Sequence, residues 1–203
     1  MKKIILIITI ISICSCKAQT IVPYYSEENI FVKNSGDYYK DVDNDFNPFI
    51  GTWKWEDGGN SLTLILKKEE NIFIESVGYF KDLLVGEYQY IEGGVELVNT
   101  LSNISNPTII GRQHIISGML IMSKYNRPTC EDCAESERRI KLNIKHPDSE
   151  YIYDDLILRY VNDIGGERIE AILFDGGSNV SNYDGEPINI DVPFGNYSLI
   201  KID

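Results

Sequence analysis

From residue 51 onward the chain alternates between apolar and polar positions in short runs. Over 61–67, Leu62, Leu64 and Leu66 fall on one face and polar side chains on the other, the period-two signature of a half-buried strand. Segment 71–80 is rich in strand formers on both faces, with Glu69-Glu70-Asn71 expected as a turn before it. Segments 84–92 and 95–101 flank Gly93-Gly94, a two-residue hairpin signal. Segments 109–116 and 119–124 read as one long strand bent at Ser117-Gly118. Over 139–145 the alternation is clean and assigns Ile140, Leu142 and Ile144 to the core face. Segments 151–161 and 167–174 pair around 163–166, and 197–202 closes the chain. About nine short strands joined by Gly, Asn and Asp turns, with no amphipathic helix and only a short turn near 131–138, predict an all-β fold. The expected architecture is one domain, 48–203, built as an antiparallel β-barrel or sandwich.

The first 47 residues have no such period. Met1-Lys2-Lys3 is a basic start, and 4–13 is an apolar run holding seven isoleucines, too short to span a bilayer as a helix. Before Cys16 stand an apolar residue at −3 (Ile13) and a small one at −1 (Ser15), a pattern that resembles the lipobox of bacterial lipoproteins. The resemblance implies a signal peptide over 1–15 and acylation of Cys16. It also implies export across the inner membrane and lipid anchoring in the cell envelope, with the outer membrane expected. Plain secretion with cleavage after Ala18 is the alternative. Each buried methylene of an acyl chain contributes ~0.8 kcal/mol, so multiple acylation tethers firmly while the fold stays aqueous. Residues 16–47 are polar and acidic and read as a flexible tether with a turn at Asn47-Pro48. Asp41, Asp43 and Asp45 alternate like the start of a calcium loop. Phe46 then stands where the sharp-turn Gly is needed and Thr52 where the final Glu is needed, so a solvated linker is the better reading.

Composition narrows the classes. With 203 residues, 43% hydrophobic and 25% charged, the chain is neither disordered nor collagen-like nor a multi-spanning membrane protein. Lys and Arg total 19 against 31 Asp and Glu, a formal charge of −12. That balance argues against nucleic acid as a partner and against adhesion to anionic membranes through charge alone. Loss of Lys2 and Lys3 with the signal takes the charge to −14 and favours a neutral or cationic ligand, or a basic protein surface.

Cys130-Glu131-Asp132-Cys133 is the most specific local chemistry. With Cys14 removed and Cys16 acylated, these are the remaining thiols, and outside the cytoplasm a local disulfide is expected. Zinc would need Cys130, Cys133 and His146 with His114 brought from another strand. A redox role is opposed by Glu131, Asp132 and Glu135, which disfavour a thiolate. No nucleophile elbow, metalloprotease helix or phosphate loop is present. Asp154 and Asp155 adjoin in a strand and so point to opposite faces, wrong for paired acid/base work. The pattern therefore points away from an enzyme and calls for no cofactor or metal. A hydrolase or other envelope enzyme without a recognisable motif is the alternative.

Phe49-Ile50-Gly51-Thr52-Trp53 resembles the lipocalin and calycin opening, in which Gly-x-Trp enters strand one and closes the barrel base. That family's Thr-Asp-Tyr motif is missing, and its late Arg against the Trp has only Lys201 or Arg168 as substitutes. More widely, a lipobox, a Tyr-rich tether and this pentapeptide resemble uncharacterised small secreted lipoproteins of Bacteroidota, which implies no activity. The expected function is a binding domain for a small apolar or neutral ligand or an envelope protein. Trp53, Leu84, Tyr88 and Tyr90 are the expected lining of its site.

Overall fold

A computed structural model describes residues 19–24, 34–176 and 190–203. Along the described chain run β1 (Ile21–Pro23), β2 (Tyr38–Lys40), β3 (Gly51–Asp57), β4 (Asn60–Ile74), β5 (Tyr79–Glu92) and β6 (Val95–Asn99). After them come β7 (Ile116–Met122), β8 (Arg139–His146), β9 (Ser149–Asp163), β10 (Gly166–Phe174) and β11 (Gly195–Lys201). Eight of these close a ring in the order β3-β4-β5-β7-β8-β9-β10-β11 and back to β3, every neighbour antiparallel. The protein is thus an all-β, up-and-down barrel, which decides between the two expected architectures. β6 folds back on the end of β5 through Gly93-Gly94, while β1 and β2 add parallel strands to the start of β5.

Alternation fills the interior. Leu62, Leu64 and Leu66 of β4 lie opposite Tyr90, Tyr88 and Gly86 of β5, all inward. Ile140, Leu142 and Ile144 face in as expected, opposite Leu158, Leu156 and Asp154. Asp155 points out and pairs with Lys141 at 2.6 Å, so the two adjacent carboxylates do part. The ring closes through only three β5–β7 pairs. On the other side of β7, Gly118 sits at the bulge against β8, where a Cβ would stand 2.7 Å from the Lys141 carbonyl oxygen.

Three expectations need correction. The turn expected at 69–71 is a bulge inside one long β4; the chain turns instead between Ile74 and Tyr79. Segment 109–115 is not strand but a loop with a short 3-10 turn at Gly111–Gln113. The third concerns the tether: its described residues 34–47 pack against one end of the barrel rather than extending into solvent. Phe46 and Phe49 are completely buried there, and the Trp53 Nε1–H donates to the Phe49 carbonyl at 2.8 Å.

The acidic residues of that segment explain the difference. Asp41 accepts the N–H groups of Asp45 (2.8 Å) and Phe46 (3.1 Å) and pairs with Lys68 Nζ at 2.9 Å. Asp82 accepts from the Tyr38 hydroxyl, the Asp41 N–H and the Asn71 N–H. A sequence that reads as solvated is ordered because its carboxylates cap backbone donors and meet a buried lysine.

Candidate binding groove

The bulge between Glu69 and Ile72 decides what the outer wall carries. Up to Lys68, even-numbered residues of β4 face inward. One extra residue, with Asn71 at φ +57°, reverses the parity and turns Ile72 and Ile74 outward. There they join Leu83, Val85 and Met119 in an apolar patch outside the barrel.

The 99–115 segment is strapped across that patch by charge. His114 is wholly buried, with Nδ1 2.7 Å from Glu87 Oε1 and Nε2 3.3 Å from Glu69 Oε1, the latter off line for a hydrogen bond. Glu69 Oε2 accepts the Gly111 N–H at 2.6 Å, and Lys67 Nζ reaches both Glu69 (2.9 Å) and the Ile104 carbonyl (2.9 Å). Burial opposes ionisation of Glu69, but bonds from Lys67 and the Gly111 N–H outweigh it and hold its carboxyl below the ordinary range. Gly111 has φ +57°, and a Cβ there would meet Ile72 at 2.9 Å.

Beside this strap opens a groove of about 980 Å³. Its apolar lining includes Ile72, Ile109, Ile110 and Ile115; its polar part includes Arg112, Lys145, Glu75 and Asp148. Lys145 Nζ donates to the Arg112 carbonyl, fixing the strap to β8. His146, at the groove edge, accepts the Asp148 N–H on Nδ1 (3.1 Å) and turns Nε2 toward Asp191 at 3.6 Å. Two cations face two carboxylates, so the surface is close to neutral and amphipathic.

The residues expected to line a site lie elsewhere. Trp53, Leu84, Tyr88 and Tyr90 do come together inside the barrel, at 2% exposure or less, as parts of the main core. None of them lines the groove on the outer wall. Burial pushes the Tyr88 hydroxyl well above its ordinary range, helped by nearby carboxylates, and the hydroxyl donates to the Lys145 carbonyl at 3.4 Å. Lys201 supplies the cation over Trp53, 5.4 Å from the ring, whereas Arg168 pairs with Asp163 and Glu170.

Cys130 and Cys133 form a disulfide, which removes both sulfurs as zinc ligands. Their loop lies on the outer wall of β8–β11, beside a second groove of about 450 Å³ floored by Ile157 and Ile172. Arg139 holds the loop by donating to the carbonyls of Ser123 (2.8 Å), Asn126 (2.9 Å) and Pro128 (2.7 Å). Among the described residues, no cluster of three His, Cys, Asp or Glu side chains is placed to hold a metal.

Sequence reasoning missed the groove because a strand was expected over 109–116. Pro107 and Gly111, both poor strand residues, and Asn71, tolerant of positive φ, were the available signals. The fold and the groove define a closed β-barrel with an amphipathic groove on its outer wall. The chain belongs to a family of unknown function (DUF6705), whose model matches residues 1–202. No curated protein and no solved structure matches it.

Proposed function

We propose that this protein is a lipid-anchored component of the cell envelope whose barrel is a rigid scaffold for binding a neutral, amphipathic ligand on the outer wall. The observation that carries the reading is the groove beside the strap: isoleucines beside a charge-balanced edge, of a volume suited to a small molecule. An apolar segment of the ligand lies along Ile72, Ile109 and Ile115, and its polar end meets Arg112 or Asp148. The inward-facing Trp53, Leu84, Tyr88 and Tyr90 then serve rigidity, since small eight-stranded barrels are filled by their own side chains. Export and acylation at Cys16 rest on the sequence pattern alone; that segment lies outside the described residues.

The neutral fluorophore N-phenyl-1-naphthylamine tests the groove. Its emission should rise on adding the protein, and Ile109→Asp should weaken its binding about tenfold, equivalent to ~1.4 kcal/mol. Unchanged binding in Ile109→Asp, with loss in a Tyr90→Ala variant that still folds, would return the site to the barrel interior.

A further inference from the structure

We propose that the barrel end from which the N-terminus leaves is a lipid-contact surface that seats on zwitterionic headgroups. The proposal rests on acylation of Cys16 and deepens that reading by giving the anchored molecule an orientation. β1 begins at Ile21, five residues after Cys16. Five extended residues reach at most about 18 Å, so the edge carrying β1 is held within that distance of the acyl chains. Five of the eight ring strands run for 7–9 residues, which at ~3.3 Å per residue and a tilt near 40° gives a barrel wall of roughly 20 Å, with the long β4, β5 and β9 reaching beyond it. The opposite end is therefore out of reach of the bilayer when this end approaches it.

Exposed apolar side chains gather where the tether requires. Up-and-down topology puts the 41–46 turn, the β7–β8 connection, the β9–β10 turn and the chain end after β11 at one end of the barrel, with β1 beside the start of β5, while the β4–β5 tip curls out toward the β8–β9 turn and lines the groove. Those segments carry Ile21, Val42, Ile164 and Ile202, all exposed, Ile164 fully so. Such side chains projecting from several connections of one rim are what an interfacial contact uses. At the other end, the β3–β4 turn is Gly58-Gly59 and the β8–β9 turn holds Asp148, with Val95, Leu97 and Phe194 as exposed apolar side chains nearby.

The charges on the same rim choose the lipid. Asp163 pairs with Arg168 (2.6 Å), Glu167 with Lys201 (2.9 Å), and Asp203 accepts from Thr52. Three carboxylates meet two cations in these contacts, so the rim offers little attraction to anionic headgroups, and the net negative charge of the chain repels them. Zwitterionic lipid meets neither obstacle.

The test uses the full acylated chain in phosphatidylcholine vesicles containing nitroxide-labelled lipid. An environment-sensitive fluorophore is attached at Ile164→Cys or, as the far-end control, at Val95→Cys. Label at 164 should be quenched about twofold and blue-shifted, and label at 95 should be unaffected. Vesicle-bound protein with no quenching at 164, or with stronger quenching at 95, overturns the orientation. Acyl mass on Cys16, and release of Cys16→Ala from the vesicles, report the anchor separately. Quenching at 164 in vesicle-bound protein supports the rim even if the anchor lies at another residue.

Discussion

The two faces of the β4–β5 wall are both buried, but by different means. Inward, Leu64, Leu66 and Tyr88 pack within one continuous apolar core, with stability coming from area removed from water. Outward, the same two strands bury Glu87 and partly cover Glu69 and Lys67 beneath the strap, and hold His114 between the carboxylates. Glu87 Oε2 has no hydrogen-bond partner among the described residues, so this side depends on particular pairs and tolerates their loss poorly. The inner face can absorb repacking among similar side chains; the outer face cannot exchange one charge without stranding another. A groove built on the second kind of surface is held in shape by few interactions and is the more easily altered.

The largest effect should come from the interior. Trp53→Ala removes a wholly buried ring and its bond to Phe49, and should cost ~3–5 kcal/mol in urea unfolding. A cost below about 1 kcal/mol would mean that the barrel base is not packed as described.

Next comes the strap. His114→Leu leaves Glu87 buried beside an apolar group and should cost about 3 kcal/mol, with amide exchange over 108–115 accelerated more than in β8 or β9. Adding Glu87→Leu should restore much of the loss, because an apolar pair replaces a stranded charge. If the double variant is worse than the single one, the outer wall is not governed by paired charge.

Reduction of Cys130–Cys133 should have a smaller effect. A loop this short removes little chain entropy from the unfolded state, about 2 kcal/mol by the loop-closure relation. Intact mass should shift by two hydrogens on reduction, and the barrel should persist because Arg139 still holds the loop carbonyls.

Acid should produce the mildest change, confined to the outer segments. Burial opposes ionisation of Glu137 too, yet hydrogen bonds from Arg159 and the Ala134 N–H hold its carboxyl below the ordinary value of 4.5, as happens at Glu69. A carboxyl depressed in the folded state stabilises above the unfolded value, and that contribution is lost as pH falls through the folded one. Exchange over 108–115 and 123–138 should therefore quicken as pH drops below about 4.5, relative to β8–β10 and after correction for intrinsic rates. A uniform response across the chain would remove the distinction between the faces.

Much of the barrel was legible because a strand's two faces see different solvents. Leu62, Leu64 and Leu66, and Ile140, Leu142 and Ile144, announce which side is buried, and turn glycines such as Gly93-Gly94 mark reversals. The Cys130–Cys133 pairing was expected from the three-residue separation, with zinc as the alternative that the bond itself excludes. The sequence by itself thus determined the strand class and much of the core face, and made the local cross-link the expected pairing.

Tertiary structure decided the rest. Whether Ile72 and Ile74 face the core or the outer wall turns on one extra residue at 69–72, and that bulge exists because Asn71 can donate to Asp82 from a positive-φ conformation. Whether Asp41 is solvated or buried turns on Lys68, 27 positions away, and whether 109–115 is strand or strap turns on Glu87 and Glu69. Periodicity reports a residue's local preference for water. The fate of a charge depends on the partner that the closed barrel brings to it, and no local pattern encodes that partner.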